Sequence, residues 1–345
     1  MENMENVEMK LDVLEILKLC GEGTFSDVYK AKQRSTGTIV AVKKAREVKY
    51  ERPARERVAN EIKILKLVHH ENVISIFYIM EPVKIINSEN VSQFNVKNIE
   101  INKNSLIFPF CPLTLRTLLD EYDLKLIEIK SCIWMILNGM THIHNCGVMH
   151  RDLSPRNILI NEIGVIKISD FGNAWINNGN NPSGENIGTR YYHAPELLFS
   201  AENYTNAIDL WSLGCIFAEF FTGDGSLFVG ENDIEQLCKI FRVLGVPNET
   251  TWPEMKDFPD YGKLNFKVTK CSGLNQQLPK ANSPEIIQFI SKFLKYPFKE
   301  RNTTKQASQD LIFNSNDFSK IRIELDKLKR KLTLNQENSN FIDTV

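Results

Sequence analysis

The residue pattern of the chain changes once, near Leu113, and no other feature constrains the fold as strongly. Residues 15–45 consist of short strand-like runs joined by a glycine-containing turn and a Ser-Thr-Gly turn, which is typical of antiparallel hairpins. One segment of this first part, residues 55–68, places apolar side chains at helical spacing between charged ones. Beyond Leu113 most runs have helical spacing and end at glycine or proline. The pattern predicts a small β-rich lobe with one helix, followed by a larger, mainly helical lobe.

Three other segments of the chain have distinct patterns. Residues 74–80 and residues 104–110, ISIFYIM and NSLIFPF, are strand-like. Between them, residues 81–104 are asparagine-rich and polar, and we interpret them as an inserted hairpin or a mobile loop. Residues 315–345 are predicted to begin as a charged helix and to end in a polar tail that frays.

Composition excludes several classes of function. The chain has 345 residues, with 42 lysines and arginines against 43 aspartates and glutamates, so its formal net charge is −1. This balance excludes a strongly basic nucleic-acid-binding protein and a strongly acidic, disordered chain. The seven cysteines form no CxxC pair, which is typical of reduced thiols. No apolar run of about 18 residues and no apolar signal segment is present. We therefore expect a protein of the nucleus, the cytoplasm or both, with no nucleic acid and no membrane as partner.

A pair of glycines, Gly21 and Gly23, lies between the first two strand-like runs. Glycine lets the backbone approach phosphate oxygens and present its N–H groups to them. The third glycine of a GxGxxG loop is replaced by Ser26, so the pair alone is a weak indication of nucleotide binding. Lys43 on the third strand and Glu61 on the following helix strengthen it, because a glutamate can orient a lysine toward phosphates. Each of the two, taken alone, is equally compatible with a solvated surface side chain.

The most specific signal lies in two segments, residues 148–160 and residues 166–172. The first, VMHRDLSPRNILI, contains a His-Arg-Asp triplet that ends at Asp152, with Asn157 five residues later. The second, IKISDFG, contains an Asp-Phe-Gly triplet that begins at Asp170. This order and spacing resemble the signature of eukaryotic protein kinases.

The resemblance covers residues 14–314 and implies the α+β, bilobal protein-kinase fold. It implies a small antiparallel-sheet N-lobe with the family's αC helix at residues 14–110, and a large, mainly helical C-lobe at residues 111–314. Residues 1–13 would then be an N-terminal extension. ATP is expected in the cleft between the lobes.

The resemblance also implies ATP and Mg²⁺ as cofactors, and it assigns roles to individual residues. Asp152 is expected to accept the proton of the substrate hydroxyl, and Lys43, oriented by Glu61, is expected to position the phosphates. Asn157 and Asp170 are expected to bind Mg²⁺. The expected ATP-binding residues are Gly21, Glu22, Gly23, Val28, Ala41, Lys43, Phe108, Pro109, Cys111 and Leu159.

Other matches lie in the second half of the chain. Asp209 matches the aspartate that supports the catalytic-loop backbone in kinases. Arg301 lies where kinases keep an arginine that pairs with the glutamate of an Ala-Pro-Glu motif, here Glu196. A surface arginine is the alternative for this position.

The resemblance is closest to the cyclin-dependent-kinase-like group. GEGTF at residues 21–25 resembles that group's GEGTY, and GTRYYHAPELL at residues 188–198 resembles its TRWYRAPELL. Residues 227–266 match its large-lobe insert and are similar to the cell-cycle-related kinase and the kinases that activate cyclin-dependent kinases. The expected partner is therefore a protein substrate, which includes another cyclin-dependent kinase as a candidate.

One departure from the kinase pattern concerns the phosphate contacts. The lysine that usually follows the catalytic aspartate by two residues is Ser154 here. Arg156 is expected to replace its charge, as an arginine at that spacing does in tyrosine kinases. A tyrosine kinase is thus an alternative, but Thr189 favours a serine/threonine kinase, since a threonine at this place bonds the catalytic aspartate.

A second departure concerns regulation by phosphorylation. Kinases usually hold a phosphorylated activation loop with three arginines, but two of these positions are Asn60 and Trp175, and only Arg151 remains. A single arginine cannot make the several charge-assisted hydrogen bonds by which a phosphorylated residue orders the activation loop. The nearest loop hydroxyl belongs to Ser183. We therefore predict activity without activation-loop phosphorylation.

Three more positions bear on regulation and specificity. The cyclin-reading PSTAIRE sequence is RERVANE, residues 55–61, so a standard cyclin is not expected to dock in the usual way. Thr24 remains in the glycine loop as a regulatory candidate, although Phe25 replaces the tyrosine beside it. His193 replaces the arginine linked to a preference for proline after the target residue, which predicts weak proline preference.

The leading hypothesis is an ATP-dependent protein serine/threonine kinase that acts as a monomer in cell-cycle control. Its expected targets are activation-loop threonines of other kinases. One alternative is a conventional cyclin-bound kinase of transcription or the cell cycle. A pseudokinase scaffold is suggested by three departures from the kinase pattern, Ser26, Ser154 and Asn173 after the Asp-Phe-Gly triplet. It is a weaker alternative, because Lys43, Glu61, Asp152, Asn157 and Asp170 are all retained.

Overall fold

A computed structural model describes most of the chain. The described residues are 13–46, 51–77, 84–87, 105–177, 188–223, 225–266, 270–314, 318 and 323. Outside them lie Ser183, nearly all of the predicted C-terminal helix and tail, and the predicted N-terminal extension except Val13, which begins the first strand.

The first lobe is built on a five-stranded sheet and one long helix. Its elements are β1 (Val13–Glu22), β2 (Ser26–Gln33), β3 (Ile39–Ala45), α1 (Glu51–Leu65), β4 (Lys84–Asn87) and β5 (Ser105–Pro109). The strand order is β4-β1-β2-β3-β5. The pairs β1–β2, β2–β3 and β3–β5 are antiparallel, which confirms the predicted hairpins. Side chains from β1, β2, β3 and β5 form a small core, namely Leu14, Ile16, Ala31, Val40, Val42 and Ile107.

The second lobe is mainly helical, as predicted. Its elements are β6 (Leu113–Thr114), α2 (Leu115–Glu121), α3 (Leu126–Asn145), β7 (Val148–Met149), β8 (Ile158–Ile160), β9 (Ile166–Ile168), β10 (Trp175–Ile176), α4 (Pro195–Leu198), α5 (Ala207–Thr222), α6 (Asp233–Leu244), α7 (Leu274–Gln277), α8 (Pro284–Ser291) and α9 (Thr304–Ser308). Strands β6, β8 and β9 form one small sheet, and β7 pairs with β10. These short strands frame the loops that carry the motifs at Asp152 and Asp170.

The centre of the helical lobe is α5. Every residue from Ala207 to Phe221 is buried, so the helix is enclosed on all sides, as expected for a helix that is apolar all round. Trp211 and Phe217 are fully buried there and pack on aromatic rings from other elements, among them Phe228, Phe289 and Phe293. No helix within the described part of the chain has the length and apolar character needed to cross a bilayer.

A buried ion pair joins α4 to the segment before α9. The Arg301 guanidinium donates two hydrogen bonds to the Glu196 carboxylate, at 2.6 and 2.7 Å, and a third to the Ala207 carbonyl at 2.9 Å. Its side chain is fully buried and lies over the Trp211 ring. The pair expected from sequence is therefore present, and Arg301 is not a surface side chain.

One expectation about the first lobe is wrong, and another falls mostly outside the described residues. Residues 74–80 were predicted as a strand, but the described part, residues 74–77, forms only an isolated bridge between Phe77 and Ile107. Within the segment interpreted as an inserted hairpin or loop, Lys84–Asn87 forms a strand parallel to β1. The free edge of β1 offers backbone partners to a segment distant in sequence, and polarity alone does not reveal such a pairing.

The beginning of the C-terminal segment contacts the helical lobe. Phe318 and Ile323 are buried, and the Ile323 N–H donates to the Gly164 carbonyl at 3.3 Å. Gly164, in the β8–β9 turn, has a φ of +77°, and a Cβ there would lie 2.1 Å from the Ile323 carbonyl oxygen. Glycine is thus required at this turn by both backbone conformation and space.

Arg301→Ala should destabilise the protein by about 3–5 kcal/mol, because it leaves the Glu196 carboxylate buried without its partner. Thermal and urea unfolding of the purified variant measure this. Arg301→Lys is the matched control, since it keeps the charge but loses the two-pronged contact, and its loss should be smaller. An Arg301→Ala variant as stable as the parent would show that the pair is not required.

Candidate active site

A cleft of about 740 Å³ lies between the two lobes. It is lined by the turn between β1 and β2, by α1, by the loop after β7, by the segment after β9 and by Gly188 and Thr189. Of the residues predicted from sequence, the cleft brings together Gly23, Thr24, Lys43, Glu61, Arg151, Asp152, Asp170 and Thr189.

Lys43 reaches the cleft because of the alternation along β3. Val40 and Val42 point into the sheet core, so Ala41 and Lys43 point to the opposite face. The Lys43 ammonium lies 2.7 Å from a Glu61 carboxylate oxygen and 2.9 Å from an Asp170 carboxylate oxygen. This contact joins β3, α1 and the segment after β9.

The charges of this triad follow from burial and mutual attraction. Burial alone would lower the pKa of Lys43, but Glu61 and Asp170 outweigh it and raise that pKa. Burial likewise opposes ionisation of Asp170, yet Lys43 outweighs it and lowers the pKa of Asp170 to about 2. In Glu61 burial prevails over Lys43 and the pKa is raised. Asp170 is therefore the carboxylate held firmly ionised in the cleft.

The side chain of Asp209, near the start of α5, stabilises the loop that carries Asp152. The buried Asp209 carboxylate accepts the backbone N–H groups of His150 and Arg151, each at 2.9 Å, and contacts the His144 ring at 2.9 Å. Arg151 has a φ of +65°, an uncommon conformation for a residue with a side chain. Asp209 thus holds a strained backbone and positions Asp152 beside the cleft.

The Asp152 carboxylate has two donors. The Thr189 hydroxyl lies 3.4 Å from one oxygen, and the Asn173 amide lies 3.0 Å from the other. Burial, with a contribution from Asp170, raises the pKa of Asp152. Gly188 has a φ of +108°, and a Cβ there would lie 2.7 Å from the Arg151 carbonyl oxygen, so glycine lets the segment approach the loop.

Asn157 directly precedes β8 and Asp170 follows β9 by two residues, so both lie at the open end of the β8–β9 hairpin. The Ser169 N–H and hydroxyl both donate to the Asn157 carbonyl at 2.9 Å, which keeps the two sites adjacent. The Asn157 amide nitrogen donates to the Asp152 carbonyl at 2.8 Å, leaving the amide oxygen as its metal-binding atom. Amide and carboxylate oxygens suit Mg²⁺. No group of three or more His, Cys, Asp or Glu side chains suited to a metal occurs among the described residues.

The predicted adenine-side residues lie on or next to strands of the two lobes, and they are not among the residues that line the described cleft. Val28 pairs with Lys43 across β2 and β3, and Ala41 pairs with Phe108 across β3 and β5. Pro109 ends β5, Leu159 lies on β8, and Gly21 and Glu22 end β1. The Cys111 thiol is largely buried, which raises its pKa to about 11, so it is not a thiolate at neutral pH.

Among the residues predicted as catalytic, Arg156 is the one that does not line the described cleft. Its side chain is exposed and is not among the cleft-lining residues, whereas Ser154, at the usual lysine position, is 3 % exposed. The replacement of the lysine charge by Arg156 stays a prediction.

Sequence reasoning missed a set of hydrogen bonds between α1 and the segment after β9. The Asn60 amide donates to the carbonyls of Phe171, Gly172 and Ala174, at 3.3, 3.3 and 2.8 Å. The Arg57 guanidinium donates to the Asn173 side-chain oxygen. The sequence marked Asn60 and Asn173 only as departures from the kinase pattern, and that departure was the available signal.

Arg151 is also engaged within the protein. Its guanidinium donates to the Asn173 carbonyl at 2.7 Å and to the Tyr204 hydroxyl at 3.1 Å, and it lies over the Trp175 ring. The remaining arginine of the usual phosphate-binding set is thus paired with neutral groups.

These two lobes, with a lysine–glutamate pair and two aspartates at their cleft, are those of a protein kinase. The family model for the protein kinase domain matches residues 14–313, and the chain belongs to this family. Such enzymes use ATP and Mg²⁺.

The similarity extends to individual kinases. The chain is 36% identical over 305 residues to cyclin-dependent kinase 20 of Danio rerio, and 35% identical over 301 residues to that of Homo sapiens. Each match covers 86% of this chain and 82% of the relative. A crystal structure of the yeast RNA Pol II CTD kinase CTDK-1 complex matches with a TM-score of 0.73 and 27% identity, over 88% of this chain and 93% of that chain. The chain is therefore a cyclin-dependent-kinase-like protein serine/threonine kinase, as its motifs predicted.

Asp209→Asn should destabilise the protein by about 1–3 kcal/mol, because an amide nitrogen then faces the N–H donors of the loop. Activity should fall about tenfold or more, since Asp152 loses its support. Thermal unfolding and initial rates measure the two effects. Asp260→Asn, which alters a carboxylate on the surface, is the control.

The effect of Asp209→Asn on stability should also depend on pH. Burial raises the pKa of Asp209, but the contacts with His144 and the loop outweigh it and lower that pKa. A carboxylate with a lowered folded-state pKa stabilises fully above its ordinary pKa, and this stabilisation is lost as the pH falls through the lowered value. The difference in melting temperature should therefore shrink below about pH 4. A difference that grows in acid would contradict this account.

Proposed function

We propose that this kinase transfers the γ-phosphoryl group of ATP to activation-loop threonines of other kinases, a cyclin-dependent kinase among them, in cell-cycle control. The observation that carries the proposal is the arrangement of Lys43, Asp152 and Asp170 around one cleft, with Glu61 in contact with Lys43. The similarity to cyclin-dependent kinase 20 and the presence of His193 in place of an arginine support the substrate class.

Each residue of the cleft has a distinct task in this reaction. The Lys43 ammonium binds the phosphates, and Glu61 orients it. The Asp152 carboxylate accepts the proton of the substrate hydroxyl, and its raised pKa favours that role. Arg156, whose side chain is exposed outside the described cleft, is proposed to supply the charge of the lysine absent at Ser154.

Asn157 and Asp170 would hold Mg²⁺ through one amide oxygen and one carboxylate. When bound, Mg²⁺ neutralises charge that develops on the phosphate oxygens. The chain contributes mainly positioning and fixed charge, because phosphoryl transfer needs little covalent help from the protein.

Activity without phosphorylation of the activation loop is part of the proposal. Asn60 replaces an arginine of the usual phosphate-binding set, and it holds the segment after β9 by hydrogen bonds to three carbonyls. Arg151 is engaged with Asn173 and Tyr204. Neutral hydrogen bonds thus occupy positions where other kinases use phosphate-dependent charge pairs.

Activity of the monomer without a standard cyclin is also proposed. The Lys43–Glu61 contact requires α1 to pack against the cleft, and it is formed in the single chain. The RERVANE sequence of α1 supports the same conclusion. Since the matched yeast CTD kinase structure is that of a complex, stimulation by a partner protein is the outcome that would oppose it.

A second candidate function is phosphorylation of the RNA polymerase II C-terminal domain. The observation that favours it is the similarity to the yeast RNA Pol II CTD kinase complex. The retained cleft residues argue against a pseudokinase scaffold, because each can perform its task in the observed geometry.

Purified full-length protein should phosphorylate an unphosphorylated cyclin-dependent kinase at an activation-loop threonine when Mg·ATP is supplied. Mass spectrometry of the product maps the site, and Asp170→Ala is the inactive control. A polymerase C-terminal-domain fragment is tested in parallel. Phosphorylation of that fragment alone would support the second candidate, and transfer to neither would contradict catalysis.

Strong enrichment for proline after mapped sites in a peptide array would contradict the role given to His193.

Ser183→Ala made in bacteria should keep its activity within about twofold of the parent, because Asn60 and Arg151 hold the segment after β9 through hydrogen bonds to neutral groups. Initial rates at saturating ATP measure this. Treatment of the parent with phosphatase is the control and should change little. A loss of more than about tenfold would contradict phosphorylation-independent activity.

A further inference from the structure

Asn173, the residue after the Asp-Phe-Gly triplet, lies between the catalytic carboxylate and α1. It is 6 % exposed, so its amide has little contact with water. Its side-chain nitrogen donates to the Asp152 carboxylate at 3.0 Å, and its side-chain oxygen accepts from the Arg57 guanidinium. Its backbone carbonyl accepts from Arg151 at 2.7 Å. Both ends of the side chain and the main chain of Asn173 are therefore engaged.

The two neighbours fix the orientation of the amide. A carboxylate only accepts hydrogen bonds, and a guanidinium only donates them. A flipped amide would place its oxygen against the Asp152 carboxylate and its N–H₂ group against the Arg57 guanidinium. Only one orientation satisfies both neighbours, so the hydrogen bonds run in one direction from Arg57 through Asn173 to Asp152.

Arg57 and Glu61 lie four residues apart on α1, so they share one face of that helix. Glu61 connects this face to Lys43, which faces the phosphates. Arg57 connects the same face to Asn173 and also lies over the Phe25 ring in the turn between β1 and β2. One helix face thus contacts both the phosphate-positioning lysine and, through one side chain, the catalytic carboxylate.

We infer that Asn173 is a positioning residue for Asp152, and that the Arg57–Asn173–Asp152 hydrogen bonds make the orientation of the catalytic carboxylate depend on the position of α1. Movement of α1 away from the cleft withdraws Arg57 and frees the Asn173 amide to rotate. The Asp152 carboxylate then loses a donor and its fixed orientation. This inference rests on the proposed role of Asp152 as the base.

The test is a comparison of kcat and KM in the full-length protein, with myelin basic protein as the phosphate acceptor. Asn173→Leu, which removes both side-chain hydrogen bonds at similar volume, should lower kcat about tenfold or more. The KM for ATP should change less than about twofold, since Lys43, Glu61 and Asp170 keep their contacts. A purely structural role would lower the melting temperature and raise KM without this selective loss of kcat.

Asn173→Asp separates the two hydrogen bonds. It keeps an acceptor for Arg57 but has no donor for Asp152 at neutral pH. We expect the same loss of kcat as for Asn173→Leu. A parent-like kcat in Asn173→Asp would overturn the inference, because the contact of residue 173 with Arg57 would then be sufficient for activity without the hydrogen bond to Asp152.

A double-mutant cycle tests the connection to α1. Arg57→Ala should lower kcat in the parent but should have no further effect on kcat in the Asn173→Leu variant. Arg55→Ala, which removes the same charge from an exposed position of α1, is the matched control. Additive effects of Arg57→Ala and Asn173→Leu would overturn the connection, and this measurement remains informative through Arg57→Ala alone if Asn173→Leu fails to fold.

The outcome also separates this inference from the proposed function. Transfer to myelin basic protein by the parent but not by Asp170→Ala establishes phosphotransfer. Parent-like kcat in both Asn173 variants would then overturn the positioning role alone. No transfer by the parent to this acceptor or to a cyclin-dependent kinase would overturn both.

Discussion

The architecture depends on one partly buried cation, the Lys43 ammonium between the carboxylates of Glu61 and Asp170. Glu61 is 2 % exposed, and a carboxylate buried to that degree is strongly unfavourable without a partner. The contact therefore favours the arrangement in which β3, α1 and the segment after β9 converge. Since Lys43 and Glu61 belong to one lobe and Asp170 to the other, the same three charges define the interlobe cleft.

Two further buried carboxylates stabilise the helical lobe beneath that cleft. Asp209 accepts the backbone N–H groups of the loop before Asp152, and Glu196 pairs with Arg301. Arg151 and Asp170 both have positive φ values, and such backbone persists only where surrounding contacts hold it. Asp209 lies on α5, which is buried in the core along its length. Its hydrogen bonds to the catalytic loop therefore fix the position of that loop relative to the core.

Sequence patterns predicted the two lobes, the hairpins of the first sheet and the residues that meet at the cleft, because short motifs there have fixed spacing along β7, β8 and β9. They failed where a partner is distant in sequence. Lys84–Asn87 pairs with β1 across a separation that no local pattern records. Residues 74–77 have strand-like composition but only one described bridge to β5, at Phe77, since hydrophobic alternation does not specify which strand edge is available.

The sequence by itself determined the chemistry of the protein: two aspartates, an asparagine, a lysine and a glutamate in an order that defines a protein kinase. It also marked Asn60 and Asn173 as unusual. Only the tertiary structure decided what these two amides do, because α1 and the segment after β9 are more than a hundred residues apart in sequence. An amide is both donor and acceptor, so its effect depends on which groups the fold places against it. Here the fold places backbone carbonyls against Asn60, and a guanidinium and a carboxylate against Asn173.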